Sequence, residues 1–503
     1  MRIAFDNERY LAEQAAAIRE RMARYPGRLY LEFGGKLLSD NHAARVLPGY
    51  DPNVKLRLLK ELSTDAEILL CIHAGAIERR KLRADYGITY DADAMKLIDD
   101  LGEWGLSVAA VVITRYEGQA QARAFKDKLE NRGVRVYLHA PTKGYPDRPE
   151  IIASAEGYGA NPAIALSKPL VVVTGPGPGS GKMATCLSQL YHDRLAGVPA
   201  MYAKFETFPI WNLPLDHPVN VAYEAATLDL DDRNLIDPHH LKATGESAVN
   251  YNRDVEAFPI LAAILKRIAG AENAYRSPTE MGVNRAGFAI VDDEAAREAA
   301  RQEAVRRYLR CACERLMGAA DAQVLERAEA ILGRLGIGPE YRAVVPAARQ
   351  AAAEERAEAE AEGVAHCGAA LELPDGRIVT GKNSRLLHAA TAAVLNGAKA
   401  LAGLPDPIHL LSPIVIESIG RFKGGLLHRR SASLDVDEAL IALAISAALN
   451  PMVQACLDAL PRLRGCAMHL SHIPTPGDEA GLRKLGIDLS SDPAFATKRL
   501  FVE

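Results

Sequence analysis

Short runs of aliphatic and β-branched residues recur through the first 175 positions, and the stretches between them carry helical periodicity. The runs are RLYLEF (Arg28–Phe33), AEILLCIHA (Ala66–Ala74), SVAAVVITRY (Ser107–Tyr116), VRVYLHA (Val134–Ala140) and PLVVVTG (Pro169–Gly175). Strands that read as continuous apolar runs are buried on both faces, as in a parallel sheet covered by helices. The expected fold class is therefore α/β. It comprises a parallel sheet in the N-terminal domain, a helical middle region and a smaller α/β C-terminal domain. Two more strand candidates follow, Ala200–Glu206 and Val219–Ala226.

The fifth run leads directly into GPGPGSGK, and a helix is expected over Ser180–Gly197. Glycines allow backbone N–H groups to converge where side chains would obstruct them. A helix amino end favours anions, and a lysine there reaches outer phosphates. Gly175, Gly177, Gly179, Ser180, Gly181 and Lys182 are thus the candidate cradle for a nucleotide or other phosphate-containing small molecule, with ATP and Mg2+ as the expected cofactors. The spacing departs from G-x-x-x-x-G-K-[ST]: five residues lie between Gly175 and Gly181, and Met183 stands where a hydroxyl would hold magnesium. Pro176 and Pro178 also remove two N–H donors. The bland alternative is a tight connection in an α/β domain.

The 503 residues suggest about three domains. The composition changes near Val255, where Ala, Glu and Arg become frequent, and again near Gly363. The domains are therefore placed at 1–250, 251–362 and 363–503. In the last, GAALELPDGRIVTGKNS reads as a hairpin turning at Pro374-Asp375-Gly376. A helix is expected from an N-cap at Ser384 to a stop at Gly403. ALIALAISAALN (Ala439–Asn450) is expected to be a buried helix, being too short to span a bilayer.

A formal net charge of -4 offers no basic field, so a nucleic-acid partner is not expected. The first residues have no secretory pattern, and no membrane partner is expected. Seven cysteines without a C-x-x-C pair argue against disulfide frameworks and structural zinc. A cytoplasmic homo-oligomer is expected.

Other polar groups compete for attention. Gly34, Gly35 and Lys36 follow the first strand, where α/β proteins bind ligands, and His42 and Arg45 are candidates to orient an anionic substrate. The alternative is helix capping. Lys382, Asn383, Ser384 and Arg385 form a possible second anion site, and Arg421–Leu434 a basic loop. Phe205–Pro218, rich in aromatics and prolines, reads either as a lid or as a packed surface segment. The pairs His239, His240 and His469, His472 fall short of the three protein ligands expected at catalytic zinc.

The loop resembles those of dethiobiotin synthetase and CTP synthase, ATP-dependent enzymes with the same longer spacing. The resemblance implies that Lys182 is the phosphate lysine and Gly181 the close-packed glycine. It also implies a second catalytic lysine at Lys204 and magnesium-side carboxylates at Asp254 or Glu256. The stretches Leu29–Leu62, TGPGPGSGK, VNYNRDVE (Val249–Glu256) and TGKNSRLLHAATAAVLNGAKALAG together resemble a bacterial family of unknown function. Some of its members are loosely labelled ATP-dependent peptidases. That label finds no H-E-x-x-H and no G-x-S-x-G in this chain. Two functions remain in view: a ligase-like or kinase-like enzyme acting on a small anionic acceptor, and a sensor that binds the nucleotide without turnover.

Overall fold

The computed structural model describes residues 2–24, 27–83, 87–269, 275–354, 366–428 and 431–497. The chain divides into two compact units, Arg2–Ala299 and Ala300–Glu503, with the division inside the helix Asp293–Leu316.

The first unit contains β1 (Arg28–Phe33), β2 (Ala66–His73), β3 (Val108–Thr114), β4 (Val136–Leu138), β5 (Leu170–Thr174), β6 (Ala200–Phe205) and β7 (Gly282–Val283). They form one sheet in the order β7-β6-β1-β5-β2-β3-β4, parallel at each pairing. The five apolar runs and Ala200–Glu206 thus form strands, as their β-branched, both-faces-buried character predicts. Val171, Val172 and Val173 in the central strand have no exposed surface, and each contributes about 1.5–3 kcal/mol of transfer free energy. Phe33 stacks on Phe205 at 4.0 Å across the β1–β6 pair. The helix Asn252–Ala269 packs in this unit, against Lys182–Leu195 and Pro149–Ile152.

Val219–Ala226 is not a strand but part of the helix Pro218–Ala226. Pro218 sits in its first turn, where a missing N–H is harmless. The His217 ring accepts the Val219 N–H as a cap. The helix is buried around most of its circumference, so its apolar residues fall at consecutive positions and the helical period is hidden.

The second unit has a smaller mixed sheet of β8 (Gly368–Glu372), β9 (Ile378–Lys382), β10 (Ala467–Leu470) and β11 (Asp488–Ser491) in the order β9-β8-β10-β11. The expected hairpin is β8–β9, antiparallel, with Gly376 at φ 84° in its turn. Leu371, Val394, Leu443, Leu463, Met468 and Leu482 belong to one apolar core between the sheet and its helices. The helix expected to have its N-cap at Ser384 is capped four residues later, at His388, and spans Ala389–Ala402. The Ser384 hydroxyl instead accepts the N–H groups of Leu386 and Leu387 in a turn, and Asn383 Oδ1 takes the Ala389 N–H. The helix stops at Gly403 as expected. In the Ala- and Glu-rich stretch AARQAAAEERAEAEAEG (347–363), whose composition favours a helix, the start belongs to the helix Val344–Glu354, and 355–363 lie outside the described residues. Among the described residues no helix is long and apolar enough to cross a membrane.

Candidate functional site

The connection from β1 leads to β2 and passes β5, whereas the connection from β5 leads to β6 and passes β1. The adjacent strands β1 and β5 therefore send their chains in opposite directions. A crevice at the carboxyl ends of such strands is the usual ligand position in an open α/β sheet. Gly34, Gly35 and Lys36 continue from β1, and Gly175–Gly181 continues from β5 into the helix Lys182–Leu195.

The loop conformation depends on glycine most clearly at Gly181. It has φ 89°, and a Cβ there would lie 2.6 Å from the Thr114 hydroxyl at the end of β3. That hydroxyl donates to the carbonyl oxygen of Ser180 at 2.7 Å. Because a trans peptide is planar, its N–H points opposite to its C=O. The Gly181 N–H is thereby turned away from the strand end. Neither the Gly181 nor the Lys182 amide has an acceptor among the described residues. The Lys182 side chain, half-buried, makes no hydrogen bond or ion pair among them. Gly179 has φ 72°, and a Cβ there would meet nothing within 4 Å among the described residues. At Gly175 the Ser180 hydroxyl comes within 2.5 Å of where a Cβ would stand. Ser180 is buried, and its hydroxyl has no partner among the described residues. At Gly177 a Cβ would lie 2.7 Å from the hydroxyl of Tyr90, so this ring borders the loop.

Cations gather on this side of the crevice. Burial holds the His73 imidazole, at the end of β2, below its usual range, and the charges of Arg115, Arg79 and Lys81 depress it further. Lys81 lies over the Tyr90 ring, 5.2 Å from its centre.

The other side, at the ends of β1 and β6, is rich in carboxylates. Lys204 pairs in register with Glu32. Its ammonium donates to both carboxylate oxygens of Asp254 at 2.6 Å and lies 3.0 Å from Glu206 Oε1. It also contacts the Tyr251 hydroxyl, which donates to Glu206 at 2.9 Å. Burial opposes charge on Lys204, but Asp254, Glu206 and Glu32 outweigh it and raise its pKa. The Glu206 carboxyl is pushed up to about 7 by burial, against the pull of Lys204 and with the push of Asp254. Its side chain crosses the position of Gly34, where a Cβ would meet it at 2.5 Å, and so lies over the end of β1 towards β5.

The sequence candidates thus separate. Gly175 to Lys182 form one centre. Lys204 and Asp254 meet in another, about two strand spacings or 10 Å away. Glu256 is exposed and two positions from Asp254 on the same helix, hence on a different face. His42 is buried edge-to-face on Phe208 at 5.2 Å, in an aromatic layer that continues through Tyr223 to Tyr251. Arg45 is half-buried on the same short helix, Asn41–Val46. This segment is fixed by Asp40, which caps the helix and pairs with the buried Lys55 at 2.8 Å. Phe205, Phe208 and Ile210 are buried, so the aromatic segment beyond β6 is packed. His469 lies on β10, while His472 follows it. Among the described residues no group of three or more His, Cys, Asp or Glu is arranged to hold a metal. The segment Arg421–Leu434, expected to be a loop, begins as the last residues of the helix Pro413–Gly425, and Arg429 and Arg430 lie outside the described residues.

Sequence reasoning missed Glu32, Glu206, Tyr90 and Thr114. Thr114 was legible only as the last residue of a strand, and Glu32 only as one polar residue in an apolar run. No local pattern marks the other two.

The family model for the N-terminal domain of unknown function DUF1846 matches residues 3–336, and that for the DUF1846 C-terminal domain matches residues 340–501. A "UPF0371 protein" of Clostridium botulinum (strain Alaska E43 / Type E3) is 49% identical over 501 residues, covering 100% of this chain and 99% of the relative. A "UPF0371 protein" of Clostridium tetani (strain Massachusetts / E88) is 50% identical over 501 residues with the same coverage. The likeness to a bacterial family of unknown function therefore holds along the whole chain, and the protein belongs to the DUF1846, or UPF0371, family.

Proposed function

We propose that this protein binds a phosphate-bearing small molecule, ATP or a related nucleotide, at the amino end of the helix Lys182–Leu195. One observation carries this reading: the Ser180 carbonyl is tied to Thr114, and the Gly181 and Lys182 amides have no acceptors among the described residues. A terminal phosphate seated there would accept those two N–H groups and pair with the Lys182 ammonium. The cations near His73 favour the anion from the β2 side. Tyr90 offers a ring and a hydroxyl at the loop edge.

The residues do not fit a protein-held magnesium. Asp254 is engaged by Lys204, and Glu256 lies on another helix face. The anion is therefore bound by amides and Lys182, and binding does not require the metal. Lys204 is neutralised by its own carboxylates and stands apart from the phosphate.

A thermal-shift screen with ATP, ADP, pyrophosphate and inorganic phosphate, with and without magnesium, tests the reading. Stabilisation by the first three without magnesium, abolished by Lys182→Ala, is the expected result. No shift with any of them at millimolar concentration would refute it.

A second reading is phosphoryl transfer to a small anionic acceptor. It is favoured by one feature, the Glu206 carboxyl, which exchanges its proton near neutral pH and lies over the end of β1. Release of inorganic phosphate only when an acceptor is supplied would select transfer over binding alone.

A further inference from the structure

The apolar segment Ala439–Asn450 was expected to be buried, yet only one side of it is. The helix Val436–Ala447 buries Val436, Ala439, Ala442, Leu443 and Ala447. On the other side Ile441 is 65% exposed, Ile445 59%, Leu449 92% and Met452 44%. Ile441 and Ile445, four apart, share a face of this helix; Leu449 follows just past its end, and Met452 stands in the first turn of the next helix, Pro451–Ala459. Ala444 and Ala448, also exposed, lie between them. No charged residue occurs from Ala439 to Leu457. The helix Pro413–Gly425 is tied to the first turn by Lys423, which donates to Glu438 at 2.6 Å, and it carries Phe422 at 51% exposure.

We propose that this face is a twofold interface between two copies of this chain. Large side chains alternate with alanines along one stripe. When two such stripes meet antiparallel, Ile441 of each copy lies over Ala448 of the other, and the axis passes between Ala444 and Ile445. That is the self-complementarity a twofold interface requires, with each residue pair formed twice. The alanines allow the helix axes to approach to about 8 Å. Ile441, Ile445, Leu449 and Met452, at 65%, 59%, 92% and 44% exposure, with the exposed Ala444 and Ala448, supply apolar area towards the about 800 Å² per partner that a stable interface buries. An uncharged centre is characteristic of permanent association between like chains. A membrane surface is a poorer match. Helices that lie on anionic lipid carry flanking Lys or Arg, whereas the charges in this helix are Asp437 and Glu438.

Sedimentation equilibrium of the full chain between about 1 and 50 µM tests the proposal. The expected wild-type mass is that of two chains. Ile445→Glu is expected to raise the dissociation constant at least 100-fold and give the mass of one chain, with unchanged circular dichroism. Should that variant misfold, Leu449→Ser gives the same test at a more exposed position. A wild-type chain that is monomeric throughout this range would overturn the interface. So would an assembly that survives both substitutions, or a monomer that co-sediments with anionic vesicles through this face.

Discussion

The Thr114 hydroxyl holds the carbonyl oxygen of Ser180 at 2.7 Å, and this contact decides which way the last peptide before the helix Lys182–Leu195 faces. Thr114 comes from β3, whereas the loop follows β5, with β2 between them. The proposed anion site is therefore oriented by a side chain from a strand two places away in the sheet. Thr114→Val removes the donor and keeps the shape. Pyrophosphate affinity is expected to fall about 5- to 10-fold by calorimetry, while stability falls by about 1 kcal/mol. Unchanged affinity would mean that the peptide is held without this contact.

Gly181 and Gly197 both have left-handed φ, 89° and 76°, but differ in surroundings. A Cβ at Gly181 would collide with Thr114 at 2.6 Å, whereas at Gly197 it meets nothing within 4 Å among the described residues. Gly181→Ala is expected to destabilise the protein by about 2–4 kcal/mol, strain and crowding adding together. Gly197→Ala is expected to lose about 1–2 kcal/mol from backbone strain alone. Chemical denaturation of both variants measures the difference, and equal losses would place the loop farther from Thr114.

The Asp40–Lys55 pair is almost fully enclosed, with side-chain exposures of 8% and 1%. Burial raises the Asp40 pKa, but the adjacent Lys55 reverses this and holds it below its usual value. Asp40→Ala leaves the ammonium without its counter-charge and is expected to destabilise by about 3–5 kcal/mol. The double variant with Lys55→Met is expected to recover part of that loss in thermal unfolding. No recovery would mean that Asp40 acts mainly as the cap of Asn41–Val46.

Glu206 gives the pH dependence its sign. Its carboxyl pKa is raised from 4.5 to about 7 in the folded chain. Between these values the folded state keeps a proton that the unfolded state releases, so this group's contribution falls as pH rises through the window and is level above it. Glu206→Gln removes the titration. Relative to wild type, its melting temperature is expected to gain roughly 2–4 °C between pH 5 and pH 8. A difference that stays constant across that range would mean that Glu206 titrates normally.

The main sheet was legible because its strands are buried on both faces, which leaves apolar runs such as Val171–Val173. The same burial misled the reading at Val219–Ala226, where apolar neighbours reflect a helix enclosed on most sides. At the start of Ala389–Ala402, Asn383, Ser384 and His388 all suit a cap, and only the tertiary position of the chain chooses among them. The glycine loop announced itself because its requirements are local. The surroundings of Lys204 did not, since Glu32 and Asp254 reach it through strand order and helix packing from 172 residues before and 50 after. A lysine at a strand end looks the same in sequence whether it faces a phosphate or its own carboxylates.

Calorimetric titration of the full chain with pyrophosphate in magnesium-free buffer tests the central claim most directly. One site per chain, with affinity at least tenfold weaker in Lys182→Ala and no change in that variant's unliganded stability, is the predicted result. Absence of binding at millimolar pyrophosphate, or equal affinity in both proteins, would contradict an anion seated on the Gly181 and Lys182 amides.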